Sequence, residues 1–228
     1  MKAKIAGLLN LKPLHVSIIA LLYIHNPAHA NHLQKIFPQT LIKKVQKKYD
    51  NETRDRLQSW LDLMATGAKL DDRGKLERVN HFFNRMKWVE DRELWGQKDY
   101  WATPLESLLK NAGDCEDFSI AKYFSLLHMG VSEEKLKISY VKYRQGQQAH
   151  MVLTYFSDPN SDPLILDNMT NDILKGSERT DLSPVFHLNS FGVWKNEDLS
   201  ERLGNVDDIQ QWKSMVQRLR REIQRPVS

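Results

Sequence analysis

Gly113-Asp114-Cys115-Glu116-Asp117-Phe118 runs directly into an apolar stripe with helical spacing, Phe118, Ile120, Ala121, Phe124 and Leu127. The pattern predicts a buried helix that carries Cys115 at its start and stops at Gly130, a residue suited to the position just past a helix end. Backbone N–H groups and the macrodipole at a helix start favour a thiolate, the nucleophilic form of cysteine. Cys115 is the one cysteine in 228 residues, so the chain has no internal disulfide. The competing reading is a small core residue, as free cysteines often are.

Downstream of Gly130 the period shortens. Leu136 to Tyr143 reads as a strand, and Arg144 to Gln148, with Gly146, as a turn. Ala149 to Phe156 then alternates His150, Val152, Thr154 and Phe156 against Met151, Leu153 and Tyr155. The turn Ser157 to Asp162 leads into Leu164-Ile165-Leu166-Asp167, and a further strand is expected around Phe186 to Trp194. Upstream, Leu57, Trp60, Leu61 and Met64 mark a helix from Glu52 to about Ala65. Leu76, Val79, Phe82, Phe83 and Met86 mark a second, capped by Asp71-Asp72. Trp88 to Pro104 is aromatic and irregular, and Ile209, Trp212, Met215, Val216, Leu219 and Ile223 form a last helical stripe. Helices first and hairpins after them make an α+β domain, with N-terminal helices packed on an antiparallel sheet.

The second hairpin brings two polar groups together. Its turn is centred between Pro159 and Asn160, so His150 faces a position within about two residues of Asp167. If the Cys115 helix packs its N-terminus on this sheet, the three form a Cys–His–Asp triad: thiolate, proton shuttle and orienting carboxylate. His187 is the competing base, while His128 near a helix C-terminus is explained by the dipole. Ser119 and Ser190 lack the Gly-x-Ser-x-Gly context of a serine nucleophile. The carboxylates of Asp114, Glu116 and Asp117 suit a helix first turn as caps, yet three negative charges oppose ionisation of a neighbouring thiol. A bound Ca²⁺, which takes oxygen ligands, resolves that conflict; capping needs no metal, and both readings stand.

Lys2, Lys4 and Lys12 precede the apolar run Val16 to Ile24, followed by Ala28-His29-Ala30. This is the pattern of a cleaved export signal over residues 1–30, leaving a single domain over 31–228; an uncleaved anchor or a short buried helix is the alternative. Loss of those three lysines lowers the 33 basic residues to 30 against 29 acidic ones, which gives no reason to expect nucleic acid. Arg218, Arg220, Arg221 and Arg225 then read as a solvated helix face.

Asp99-Tyr100-Trp101-Ala102-Thr103-Pro104, Gly113-Asp114-Cys115-Glu116-Asp117, Ala149-His150-Met151-Val152-Leu153 and Leu164-Ile165-Leu166-Asp167-Asn168, in that order, resemble the bacterial transglutaminase-like cysteine proteinases and, within them, the LapG-type periplasmic proteases. The resemblance implies a papain/transglutaminase-like core with Cys115 as nucleophile, His150 as base and Asp167 as orienting acid. It also implies calcium at Asp114 and Glu116, with Asp117 beside them, and an oxyanion donor from the Trp101 indole in addition to the Cys115 backbone N–H. The expected substrate is the N-terminal region of a large surface adhesin, cut at a paired-alanine site so that a biofilm disperses. The expected inhibitor is an inner-membrane cyclic-di-GMP receptor of the LapD type. A transglutaminase or amidase would share the acyl-enzyme and differ in the acceptor, and a calcium-dependent binding module would not need Cys115.

Overall fold

The computed structural model describes residues 49–144, 148–196 and 201–224. The expected export signal over residues 1–30, the centre of the expected Arg144 to Gln148 turn, Arg225 and the side chain of Ile223 lie outside these residues. Helix α1 (Asn51–Gly67) starts where the Asp50 carboxylate accepts the Thr53 N–H at 2.8 Å, and α2 (Asp72–Phe83) where Asp71 accepts the Gly74 N–H at 2.8 Å. Strand β1 (Lys87–Trp88) and the short helix α3 (Asp91–Leu94) lead to α4 (Pro104–Lys110), which has a full Thr103/Glu106 capping box and proline at its first turn. Strand β2 (Ala112–Gly113) pairs in parallel with β1 and delivers the chain into α5 (Cys115–His128). That helix ends in a Schellman motif: Val131 N–H bonds the Leu126 carbonyl, Gly130 N–H bonds the Leu127 carbonyl, and Gly130 has φ of 83°.

The remaining strands are β3 (Leu136–Tyr143), β4 (Gln148–Tyr155), β5 (Leu164–Leu166), β6 (Leu174–Lys175), β7 (Leu182–Asn189), β8 (Gly192–Lys195) and β9 (Arg202–Gly204), followed by helix α6 (Gln210–Gln224). Strands β3 to β9 form one antiparallel sheet in the order β6-β5-β4-β3-β7-β8-β9. Leu153 pairs with Leu166 and Tyr155 with Leu164, the register set by a turn centred between Pro159 and Asn160. The strand expected around Phe186 to Trp194 is instead a hairpin, β7 and β8, turning at Ser190 and Phe191.

Helix α5 is the centre of the molecule. Phe118, Ile120, Ala121, Tyr123 and Leu126 are buried together with Ser119, Lys122 and Ser125, while Phe124 and Leu127 are only partly covered. Burial on nearly all sides follows from its position between the sheet, mainly β4, and helices α1, α2 and α4. Leu136, Ile138, Met151, Leu153 and Leu166 supply the sheet side of this core. Val141, Val152 and Ile165 form a smaller cluster, with Leu182 packed on it. Among the described residues no helix is long and apolar enough to cross a membrane.

Leu153 is fully buried in the middle of β4. Leu153→Ala should lower the unfolding free energy by about 2–5 kcal/mol, read as a lower urea midpoint with an unchanged slope.

Candidate active site

Cys115 is the first residue of α5 and is half-buried. Glycine is required two residues before it: a Cβ on Gly113 would lie 2.6 Å from the Asp117 Cβ and 2.7 Å from its Oδ2. Asp117 can therefore fold back, and its Oδ1 accepts the N–H of Ala102 at 2.7 Å. Asp114 occupies the N-cap position without making a capping hydrogen bond. The Asp114 carboxylate is thus left for another role.

Strand β5 pairs with β4 only over Leu153–Tyr155, so on that side β4 is open from Gln148 to Val152 within the sheet. The Cys115 sulfur sits there, with the Met151 backbone N–H directed to it, next in sequence to His150. His150 Nε2 lies 2.8 Å from Asp167 Oδ1, and both side chains are buried. Asp167 Oδ1 also accepts the Met169 N–H at 3.0 Å, and Oδ2 accepts Arg179 Nη2 at 2.8 Å. Burial opposes the Asp167 charge, but His150, the Met169 amide and Arg179 outweigh it and hold the carboxyl below the usual range. With Nε2 directed at Asp167, Nδ1 is the ring nitrogen left for chemistry.

The thiol itself differs from expectation. The helix start was expected to favour a thiolate, whereas burial pushes the Cys115 thiol up, aided by Glu116 and Asp114. Sγ lies 3.0 Å from Glu116 Oε2. Burial, together with the nearby carboxylates, outweighs the helix dipole.

The predicted ligands Asp114, Glu116 and Asp117 do not form one trio. Ligand atoms of Asp91, Asp114 and Asp117 lie within 4.8 Å of one another, as do those of Asp91, Asp99 and Glu116. Asp91, the member of both groups, was missed because it stands in the irregular aromatic segment with no fixed spacing to Cys115. Asp91 Oδ1, Asp114 Oδ1 and Asp117 Oδ2 are buried without a hydrogen-bond partner in the structure. Burial first, then the neighbouring carboxylates, pushes Asp91 up to about 6 and Asp114 up to about 10, and Asp117 is also raised. Orphaned carboxylate oxygens that cannot ionise together fit a hard, oxygen-seeking cation.

The segment Tyr100–Thr103 is fixed from both sides. Tyr100 N–H donates to Asp91 Oδ2 and Ala102 N–H to Asp117, while Thr103 Oγ1 donates to Glu222 of α6 at 2.7 Å. Arg218 packs 4.2 Å over the Tyr100 ring and bonds Glu106 and the Trp101 carbonyl, so it is not the solvated residue expected of the C-terminal arginines. Trp101 is buried in the main core cluster. Two large apolar side chains near the site are exposed: Trp88, paired with Gly113, and Met169, two residues past Asp167.

Residues 42–183 match the family model of the bacterial transglutaminase-like cysteine proteinases. Legionella pneumophila LapG has a similar structure, with 37% identity, a TM-score of 0.69, and coverage of 78% of this chain and 95% of that one. Its EGTA-treated form aligns at 38% identity and a TM-score of 0.71 over 78% and 95% of the two chains. Its calcium-bound form aligns at 37% identity and 0.70 over 78% and 97%. No curated protein sequence matches.

His187, the competing base, is engaged elsewhere. Its Nδ1 is 2.6 Å from Ser139 Oγ and its Nε2 3.0 Å from Asn196 Oδ1. Burial pushes it down to about 4 from 6.5. Above pH 6.5 both folded and unfolded forms are neutral; as pH falls toward 4 only the unfolded form gains the proton, so stability is lost in that window. The loss should approach roughly 3 kcal/mol. Urea titrations at neutral and acid pH should show a shallower acid loss in His187→Gln than in the parent.

Proposed function

The chain belongs to the bacterial transglutaminase-like cysteine proteinases, and from that footing we propose that it is a calcium-dependent endopeptidase acting through Cys115, His150 and Asp167. The observation that carries this reading is the buried His150–Asp167 hydrogen bond, beside a sulfur held against the neighbouring Met151 amide.

In this reading the Cys115 proton passes to His150 Nδ1 and the sulfur attacks the scissile carbonyl carbon. The oxyanion receives the Cys115 backbone N–H and the Trp101 indole N–H. As the C–N bond breaks, the imidazolium returns its proton to the leaving amine, giving a thioester. Water, deprotonated by His150, then attacks the thioester and the proton returns to sulfur. Asp167, held by Arg179 and the Met169 amide, keeps the imidazole in one tautomer throughout.

Asp91, Asp114 and Asp117 are the residues that would hold calcium, with Asp99 and Glu116 at its edge. Bound there, the ion supplies positive charge that lets the carboxylates stay ionised and relieves their opposition to the thiolate. The calcium-bound form of the Legionella protein supports this assignment. We further assign the chain to the periplasm, with a large surface adhesin cut in its N-terminal region at paired alanines as substrate. A LapD-type cyclic-di-GMP receptor in the inner membrane would restrain it. Exposed Trp88, paired with Gly113, and Met169, two residues past Asp167, are apolar surfaces that an extended polypeptide would contact.

Cys115→Ala and His150→Ala should abolish cleavage of an adhesin N-terminal fragment while leaving circular dichroism unchanged, and Asp167→Asn should lose about 10³-fold or more in turnover. Trp101→Phe should lose about 100-fold. Full turnover by a folded Cys115→Ala protein would end the nucleophile assignment, and an isopeptide product in place of a cut peptide would move the chain to the transglutaminase reading. Chelation should stop cleavage and lower the melting temperature, and Ca²⁺ but not Mg²⁺ should restore both. Asp91→Asn and Asp114→Asn should each remove the melting response to calcium; identical melting curves with chelator and with millimolar calcium would return the carboxylates to a capping role.

A further inference from the structure

Lys122 has no exposed surface and sits in α5 seven residues after Cys115, close to two full turns and so on nearly the same face. Its Nζ donates to Asn80 Oδ1 at 2.8 Å and lies 5.9 Å from the centre of the Phe118 ring. Asn80 is itself fully buried and donates through Nδ2 to the carbonyls of Thr170 and Asn171. Asn84, one turn further along α2, donates to the carbonyls of Asp167 and Thr170, each at 2.8 Å. The turn from Asp167 to Asn171 is therefore gripped from the helix side by α2, with Lys122 behind Asn80.

A buried ammonium with a neutral hydrogen-bond partner is expensive, and an apolar side chain of similar length would pack more cheaply. Burial pushes Lys122 down to about 7, opposed by the charge of Asp167. The charge count explains what the cation does. Arg179 is shared between Asp167 and Asp181, so one guanidinium serves two carboxylates, and Lys122 is the second basic group on this side, behind Asn80. Without the Lys122 ammonium, Asn80 Oδ1 would lose its donor and the turn that carries Asp167 would loosen.

We propose that Lys122 is a positioning residue of the active site: the buried counter-charge of Asp167 which, through Asn80 and alongside Asn84, fixes the 167–171 turn. This rests on the assignment of Asp167 as the orienting acid.

The test is a double-mutant cycle in the full chain with Lys122→Met, Asp167→Asn and the pair, read both as urea unfolding and as peptide cleavage. Lys122→Met should lower kcat on the order of tenfold or more with KM little changed, and should shift the NMR resonance of the His150 Nε2 proton. The double variant should be no slower than Asp167→Asn, and its urea midpoint loss should be smaller than the two single losses added. Additive losses in both readouts, with Asp167→Asn itself impaired, would overturn the counter-charge role while leaving the triad in place. Full activity of Asp167→Asn would instead overturn the triad reading, and with it any active-site role for Lys122. If Lys122→Met does not fold, Asn84→Ser retains the cation and loosens the turn. It should then shift the same resonance and lower kcat, and failure to do either would overturn the clamp.

Discussion

Crowding of carboxylates around one helix start is the constraint on which the rest of the structure depends. Asp91, Asp114 and Asp117 bring oxygen atoms within 4.8 Å of one another at the place where the chain delivers its thiol. Like charges at that spacing cannot all persist in a buried site. Proton uptake is one escape, and it leaves the sulfur among neutral acids. A divalent cation is the other, and it converts the same oxygens from an obstacle into a scaffold. Gly113 belongs to this logic, since the space a side chain would fill is taken by Asp117.

The basic side of the site is organised separately. Asp167 is ionised by partners from three directions: His150 from β4, Arg179 from the segment before β7, and the amide of its own turn. Neither half depends on a long loop. Cys115 begins a helix buried on nearly all sides, and His150 lies within a strand paired along its length with β3. Cys115 and His150 thus inherit the rigidity of the core, as preorganised chemistry requires.

The hairpin register was legible because a turn's centre determines which residues face each other, and Pro159-Asn160 marked that centre. The helix start at Asp71 and the stop at Gly130 were legible for similarly local reasons. Asp91 and Arg179 were not. Each acts across a gap in sequence that no periodicity encodes, and Asp91 reaches the site only because β1 runs parallel to β2. Lys122 left a faint sign, a lone lysine among Ile120, Ala121, Tyr123 and Phe124, but polar residues on helices usually mean solvent. The β7–β8 hairpin was hidden because Ser190-Phe191 lacks the glycine or asparagine pair that announces a tight turn.

Helix α6 ties the end of the described chain to the middle. Glu222 reaches Thr103 across 119 residues, Arg218 reaches Trp101 across 117, and Gln211 reaches Asp99 across 112. The strip they hold is the one whose amides serve Asp91 and Asp117. Contacts of such high sequence separation form after local ones, because the intervening loop must be closed first. A chain emerging from its N-terminal side can therefore complete α1, α2 and α5 long before the acidic pocket takes its final shape. Assembly order thereby acts as a safeguard, keeping the nascent chain idle until the helix that follows Cys115 by nearly a hundred residues has folded and locked the 99–103 strip.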